Sequence, residues 1–164
     1  MTAPGDFNSA FDQLLGHEGG YVDHPKDPGG ATRWGVTERV ARARGYTGDM
    51  RNLPVEFAKD RVYRPDYWDA VRADELPAEV RYVVFDAAVN SGVSQSIKWL
   101  QRALGVTADG VIGPKTLAAA RAQDPAALRS TLLGVRLQFM TDLATWPTFG
   151  KGWARRIASL LEQA

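Results

Sequence analysis

One stretch of this chain cannot be the inside of a helix, and it carries most of the polar chemistry. Glu18 to Thr37 reads EGGYVDHPKDPGGATRWGVT, with glycine pairs at 19–20 and 29–30, Gly35, and prolines at 25 and 28. Glycine and proline at this density punctuate turns and interrupt helices. Ahead of the stretch, Phe7, Phe11, Leu14 and Leu15 recur at helical spacing, with Asp6 or Asn8 as candidate cap. Gly19-Gly20 predicts that this helix ends near His17 or Glu18, which leaves the Glu18 side chain free to point into a cleft.

Tyr21 to Thr37 reads as a short irregular hairpin, with Ala31 to Val36 as a small strand. Glu38 to Arg44 is a short helix capped by Thr37 and stopped by Gly45. Pro54 to Tyr63 predicts a further helix, broken by RPDYWD from Arg64 to Asp69. The pair Tyr67-Trp68 reads as core, with a cleft wall as the alternative.

Pro77 opens a long helix with Val80, Val83, Val84, Ala87 and Ala88 on its buried face, and it suits the centre of the domain. Ser94 to Leu104 follows, with Ile97, Leu100 and Leu104 inward and Gly105 as its stop. Asp109-Gly110 and Gly113-Pro114 are turn signals before a helix running to about Ala122. Asp124-Pro125 then starts a helix with Leu128, Leu132, Val135, Phe139 and Leu143 inward. Trp146-Pro147 and Gly150 predict a break before a closing helix of Trp153, Ile157, Leu160 and Leu161.

Composition narrows the functional classes. A chain of 164 residues is one domain by default and buries roughly 70% of its unfolded surface. The absence of cysteine excludes disulfides, thiolate metal sites and a cysteine nucleophile. A formal charge of +1 gives no strong capture of nucleic acid. Lys151, Arg155 and Arg156 make the last helix locally basic, which reads as a solvated face. The N-terminus lacks a basic region followed by an apolar one, and no apolar run approaches the ~20 residues that span a membrane. The expectation is a protein without a signal peptide that is held in the cytoplasm and does not insert into membranes.

A glutamate at the rim of an apolar wall has its charged form disfavoured, so its pKa rises. Leu14, Leu15, Tyr21 and Trp34 are the candidate wall for Glu18. Such an acid suits protonation of a leaving oxygen, and glycosidic cleavage needs it together with a second carboxylate. Asp27 and Asp23 are the candidates for that second role, with Thr32, Thr37 and freed backbone amides able to hold a water or a sugar hydroxyl. The plainer readings are a solvent-facing Glu18 at a helix end and turn-forming aspartates. His17 and His24 with scattered carboxylates match no metal-ligand spacing, and Ser9, Ser91 and Ser94 have no histidine partner in a hydrolase motif. The glycine pairs lack the lysine of a phosphate loop. No cofactor and no metal are expected.

The stretch from Glu18 to Thr37 resembles the signature of glycoside hydrolase family 108: Glu-Gly-Gly-Tyr, then Asp-Pro-Gly-Gly, Thr, and a Trp-Gly-Val-Thr end. YRPDYWD resembles a further family segment, and FDAAVNSGVSQSIKWLQRALGVTADGVIGPKTLAA from Phe85 resembles its C-terminal peptidoglycan-binding region. The family comprises phage endolysins and bacterial relatives that cut peptidoglycan as N-acetylmuramidases. The resemblance implies a mainly α, lysozyme-like fold with a small β-hairpin at the active site. It implies Glu18 as general acid and Asp27 as the matching aspartate, nine residues further on. Tyr21, Asp23, Thr32, Trp34, Thr37 and Asn90 become candidate substrate-binding residues. His24 departs from the usual pattern.

These readings predict a catalytic region over residues 1–91 and a C-terminal helical region over 92–164, integrated into one globular body. The expected function is endolysin-type hydrolysis of the β-1,4 bond between N-acetylmuramic acid and N-acetylglucosamine. The expected partner is the glycan strand of bacterial peptidoglycan, met by a monomer, without nucleic acid. The alternatives are a non-catalytic peptidoglycan-binding protein and a chromosomal muramidase that assists secretion.

Overall fold

A computed structural model of the chain describes residues 5–16, 20–23, 25 and 29–163. The chain divides into two compact units, Met1–Ala70 and Val71–Ala164. The fold is mainly α, with one small antiparallel sheet among the described residues.

In the first unit, α1 spans Phe7–Leu15, and the Asp6 carboxylate caps it by accepting from the Ser9 amide at 2.7 Å. Phe7, Ala10, Phe11 and Leu14 are its buried face. The helix stops at Leu15 with Gly16 as cap, earlier than the expected end near His17 or Glu18. Glycine is a weak helix former, and Gly16 already suffices to end it.

The sheet has three two-residue strands, β1 (Tyr21–Val22), β2 (Thr32–Arg33) and β3 (Val36–Thr37). Tyr21 pairs with Arg33 and Val22 with Thr32, while Arg33 pairs with Val36. The expected continuous strand from Ala31 to Val36 is therefore folded back on itself. Trp34 at φ 56° and Gly35 at φ 74° form the two-residue connection. Two successive positive φ values are what a tight hairpin of this twist requires.

Helix α2 (Glu38–Ala43) follows directly, capped as expected by Thr37, whose hydroxyl oxygen accepts from the Val40 amide at 3.2 Å. After a short 3₁₀ turn at Met50–Asn52, α3 (Val55–Ala58) runs into a wide π-helix, Lys59–Trp68. RPDYWD does not break the helix, contrary to the expectation. Proline removes a donor and clashes with the carbonyl four residues back. Here the ladder steps to five residues, as in the Asp69 amide to Arg64 carbonyl bond of 2.8 Å, and the wider turn takes in Pro65. Trp68 is fully buried against Phe7, whereas Tyr67 is only half-buried, so the pair is core in one member alone.

In the second unit, α4 (Ala78–Ser91) packs on α5 (Val93–Leu104) and α7 (Pro125–Thr141), and α6 (Pro114–Ala122) and α8 (Trp146–Glu162) complete it. The predicted apolar face of α4 is buried, but so are Phe85 and the carboxylate residue Asp86. Helix α7 turns a different face inward from the one expected. Leu128, Leu132, Leu133, Arg136 and Met140 are buried, while Val135 and Phe139 are half-buried and Leu143 is exposed. The reason is Arg136, which turns inward to reach Asp86.

Trp146-Pro147 opens α8 instead of breaking it, since proline is tolerated in a first turn. Gly150 lies inside that helix, and a Cβ there would sit 2.4 Å from the Trp146 ring. The indole occupies the space that a side chain would need. Of the basic residues on this helix, Lys151 and Arg155 are exposed, but Arg156 turns inward to Asp86. Among the described residues, no helix is long and apolar enough to cross a membrane.

Candidate active site

The sheet and the N-terminus of α2 build a groove in the first unit. It is lined by Tyr21, Asp23, Gly30, Glu38, Arg42 and Asp49, among others, and has a volume of about 370 Å³. Of the residues singled out in the sequence, it brings Tyr21 and Asp23 together. Glu18, Asp27 and His24 lie outside the described residues. Thr32, on β2, donates its hydroxyl to the Val22 carbonyl at 3.4 Å, a long bond. Asn90, near the end of α4, donates its side-chain amide to the Asp86 carbonyl at 2.8 Å, in the second unit.

Two candidates are already engaged in holding the backbone. The Thr37 hydroxyl is the α2 cap. The Trp34 indole N–H donates to the Leu53 carbonyl at 2.8 Å, and the Tyr63 hydroxyl donates to the Trp34 carbonyl at 2.7 Å. The Arg33 guanidinium lies over the Trp34 ring at 4.3 Å. A tryptophan in left-handed conformation is strained, and these three interactions fix it. Trp34 is half-buried, so part of its ring still faces outward.

Gly30 explains one element of the motif. Its φ is 79°, and an added Cβ would lie 3.2 Å from the Glu38 Cβ. The Gly29 and Ala31 carbonyls accept from the Arg39 and Glu38 amides, at 3.2 and 2.8 Å. The backbone from Gly29 to Ala31 is thereby pressed against the start of α2. A residue with a side chain would hold it away.

The groove is acid-rich, with Asp23, Glu38 and Asp49 on its wall. Glu38 pairs with Arg42 at 2.8 Å, one helical turn on. Arg42 also donates to the Tyr46 and Gly48 carbonyls at 2.9 and 2.7 Å, tying the following loop to the helix. Arg51 lies 5.7 Å from the Tyr21 ring, and a hydrogen bond to Tyr21, then the Asp49 charge, raise its pKa above the ordinary value. Arg51 therefore stays cationic beside Tyr21. Sequence reasoning did not single out Glu38, Arg42 or Asp49. Their signal was present in the Glu38–Arg42 spacing, which favours a salt bridge on one helix face. Among the described residues, no group of three or more His, Cys, Asp or Glu is placed to hold a metal ion.

The described site is an acid-lined groove shaped by a small sheet in a mainly α chain. The comparisons place it more closely. The chain belongs to the Glycosyl hydrolase 108 family, whose model matches residues 11–92. A second model, described as Predicted Peptidoglycan domain, matches residues 95–158. Among solved structures, the chain is similar to one titled "Structure of Brucella abortus SagA", at 41% identity and a TM-score of 0.83. That match covers 98% of this chain and 94% of the other. No curated protein matches. The chain is thus a glycoside hydrolase with peptidoglycan as its partner.

Proposed function

We propose that the enzyme is an N-acetylmuramidase, cutting the β-1,4 bond between N-acetylmuramic acid and N-acetylglucosamine. The observation that carries this reading is the family match across residues 11–92, which includes the Glu18–Thr37 motif. Glu18 is the proton donor to the bridging oxygen. Asp27, or else Asp23, stabilises the positive charge that develops at the sugar or positions the attacking water. Tyr21 and the exposed part of Trp34 offer ring faces to the sugars, and Thr32 and Thr37 offer hydroxyl groups. The separation of the two carboxylates decides the stereochemistry: about 5–5.5 Å for retention and about 6.5–9.5 Å for inversion.

We place the enzyme in phage-mediated lysis, acting as a monomer and waiting in the cytoplasm until the membrane is opened. A turbidity assay on chloroform-treated bacteria tests the chemistry. The wild type should clear the suspension and Glu18→Gln should not. Mass spectrometry of the products should find reducing ends on muramic acid. Reducing ends on glucosamine, or full clearing by Glu18→Gln, would overturn the reading.

A further inference from the structure

The second unit holds a pocket of its own, about 340 Å³ in volume, at the small end of ligand pockets. Two guanidiniums lie on its wall, Arg136 and Arg156, and both turn to the Asp86 carboxylate. Arg136 Nη1 reaches one oxygen at 2.7 Å, and Arg156 reaches the other at 2.6 and 2.9 Å. The charge on this wall is answered from within the protein. The rest of the lining is neutral, with the Phe139 and Trp153 rings and Leu143 beside the polar side chains of Asn90, Ser91 and Thr145.

The aromatic part of this lining continues onto the surface. Trp153 is in ring contact with Trp146 at 6.1 Å and with Phe149 at 5.8 Å, the latter pair stacked at 30°. Phe149 is 53% exposed, and Leu143 on the pocket wall is 36% exposed. Clustered exposed apolar side chains mark interaction sites, whereas single ones do not. The polar part is oriented. Asn90 Nδ2 donates to the Asp86 carbonyl at 2.8 Å, which leaves Oδ1 as an acceptor with no bond from the described residues. Ser91 is exposed beside it.

Small-molecule pockets combine apolar and aromatic walls with a few placed polar groups. Here a stacked ring face stands with an oriented acceptor and a hydroxyl. An N-acetylhexosamine matches that set, because its ring has an apolar C–H face and its edge carries hydroxyls and an acetamido N–H. A stem carboxylate would find both guanidiniums already engaged by Asp86, and an alkyl chain would make no use of Asn90. We propose that this pocket is a sugar subsite of the second unit. It holds one N-acetylhexosamine of the peptidoglycan glycan, with the C–H face on Trp153 and Phe149 and the acetamido N–H on Asn90 Oδ1. The inference rests on peptidoglycan being the partner, which the family model over residues 95–158 supports. It adds which part of that polymer the second unit takes, and it gives Asn90 a substrate-binding place outside the first-unit groove.

The test uses the full-length protein and proton–nitrogen NMR, with chitotriose as the glycan probe and the free stem tetrapeptide as the control. Trp153→Phe and Asn90→Asp assign the two side-chain signals. Chitotriose should shift the Trp153 indole and the Asn90 amide, and the tetrapeptide should shift neither. Phe149 is exposed, so its replacement leaves the core intact. Phe149→Ala should weaken the chitotriose affinity read at Trp153 by about fivefold or more, and Phe149→Tyr should stay within about twofold of the wild type. Chitotriose shifts that leave out Trp153, tetrapeptide shifts at Trp153, or equal affinity of Phe149→Ala and the wild type would overturn the proposal. Digestion of whole peptidoglycan by the wild type is scored separately. Cleavage without chitotriose binding at Trp153 defeats only this inference, and binding there without cleavage defeats only the muramidase reading.

Discussion

The Tyr63 hydroxyl donates to the Trp34 carbonyl across 2.7 Å, joining the wide helix to the hairpin turn. Tyr63 is buried, at 3% exposure, so water does not replace it readily. Its position fixes where the turn sits on the helix. Tyr63→Phe keeps the ring and deletes the donor. The expected loss is about 1 kcal/mol, read as a fall in Tm of about 2–4 °C. An unchanged Tm would show that the Leu53 and Arg33 interactions hold the turn without Tyr63.

Gly30 should tolerate no side chain. Gly30→Ala places a Cβ at positive φ and 3.2 Å from Glu38. Left-handed backbone at a non-glycine residue costs about 1–2 kcal/mol. Clearing activity should fall further than stability does, because the turn that retreats from α2 carries the motif. Thermal unfolding beside a turbidity assay separates the two effects. The idea fails if both are unchanged.

Much of the scaffold could be read before any coordinates. Asp6, Thr37 and Asp124 were visible as caps because a short polar side chain before an apolar period has few other uses. The α4 face was visible because its valines and alanines recur at helical spacing. Two kinds of feature were not. Pro65, Pro147 and Gly150 read as breaks, since local propensity carries no information about a wider helical turn or an indole that fills a glycine's empty side. Arg156 read as surface and Arg136 drew no reading at all, since a charge on a helix gives no sign of the carboxylate it meets 70 or 50 residues away. The one available hint was Asp86 itself, set in the apolar run VVFDAAV. For the groove, the motif named two of the residues that line it, Tyr21 and Asp23. It did not show that Thr37 and Trp34 are also structural, because capping and turn geometry depend on how the loop folds back.

Asp86 should be costly to change. It is 1% exposed and answers two guanidiniums. Asp86→Asn leaves a buried Arg136 without its counter-charge, and such a loss costs about 3–5 kcal/mol. Urea unfolding should show a lower midpoint. Arg156→Met should cost less, because that side chain is 21% exposed and water can reach it. Equal losses would mean that the pair does not share the charge unevenly.

Asp109 makes the turn before α6 sensitive to acid. Its carboxylate accepts from the Val111 amide at 2.9 Å and from Gln101 at 2.8 Å, and these bonds lower its pKa, the backbone bond first. The folded pKa lies below the unfolded one, so the unfolded chain takes up a proton first as pH falls. The stabilisation is fully present above the ordinary value of about 3.9 and fades as pH drops through the folded value. In Asp109→Asn this part of the acid limb should disappear. Unfolding curves at pH 7, 4 and 3 would show whether the two proteins converge only at the acid end.

The wide helix has a consequence for how this chain can change. Between Lys59 and Trp68 each turn takes up more residues than an ordinary helix would. Removing one residue between Tyr63 and Trp68, with the turns kept wide, would rotate Trp68 about the helix axis by roughly 100° relative to Tyr63. Trp68 would leave Phe7, or the hydroxyl that reaches Trp34 would point elsewhere. The slack in this helix is therefore not spare length: it sets the angle at which the first unit closes over its own aromatic centre.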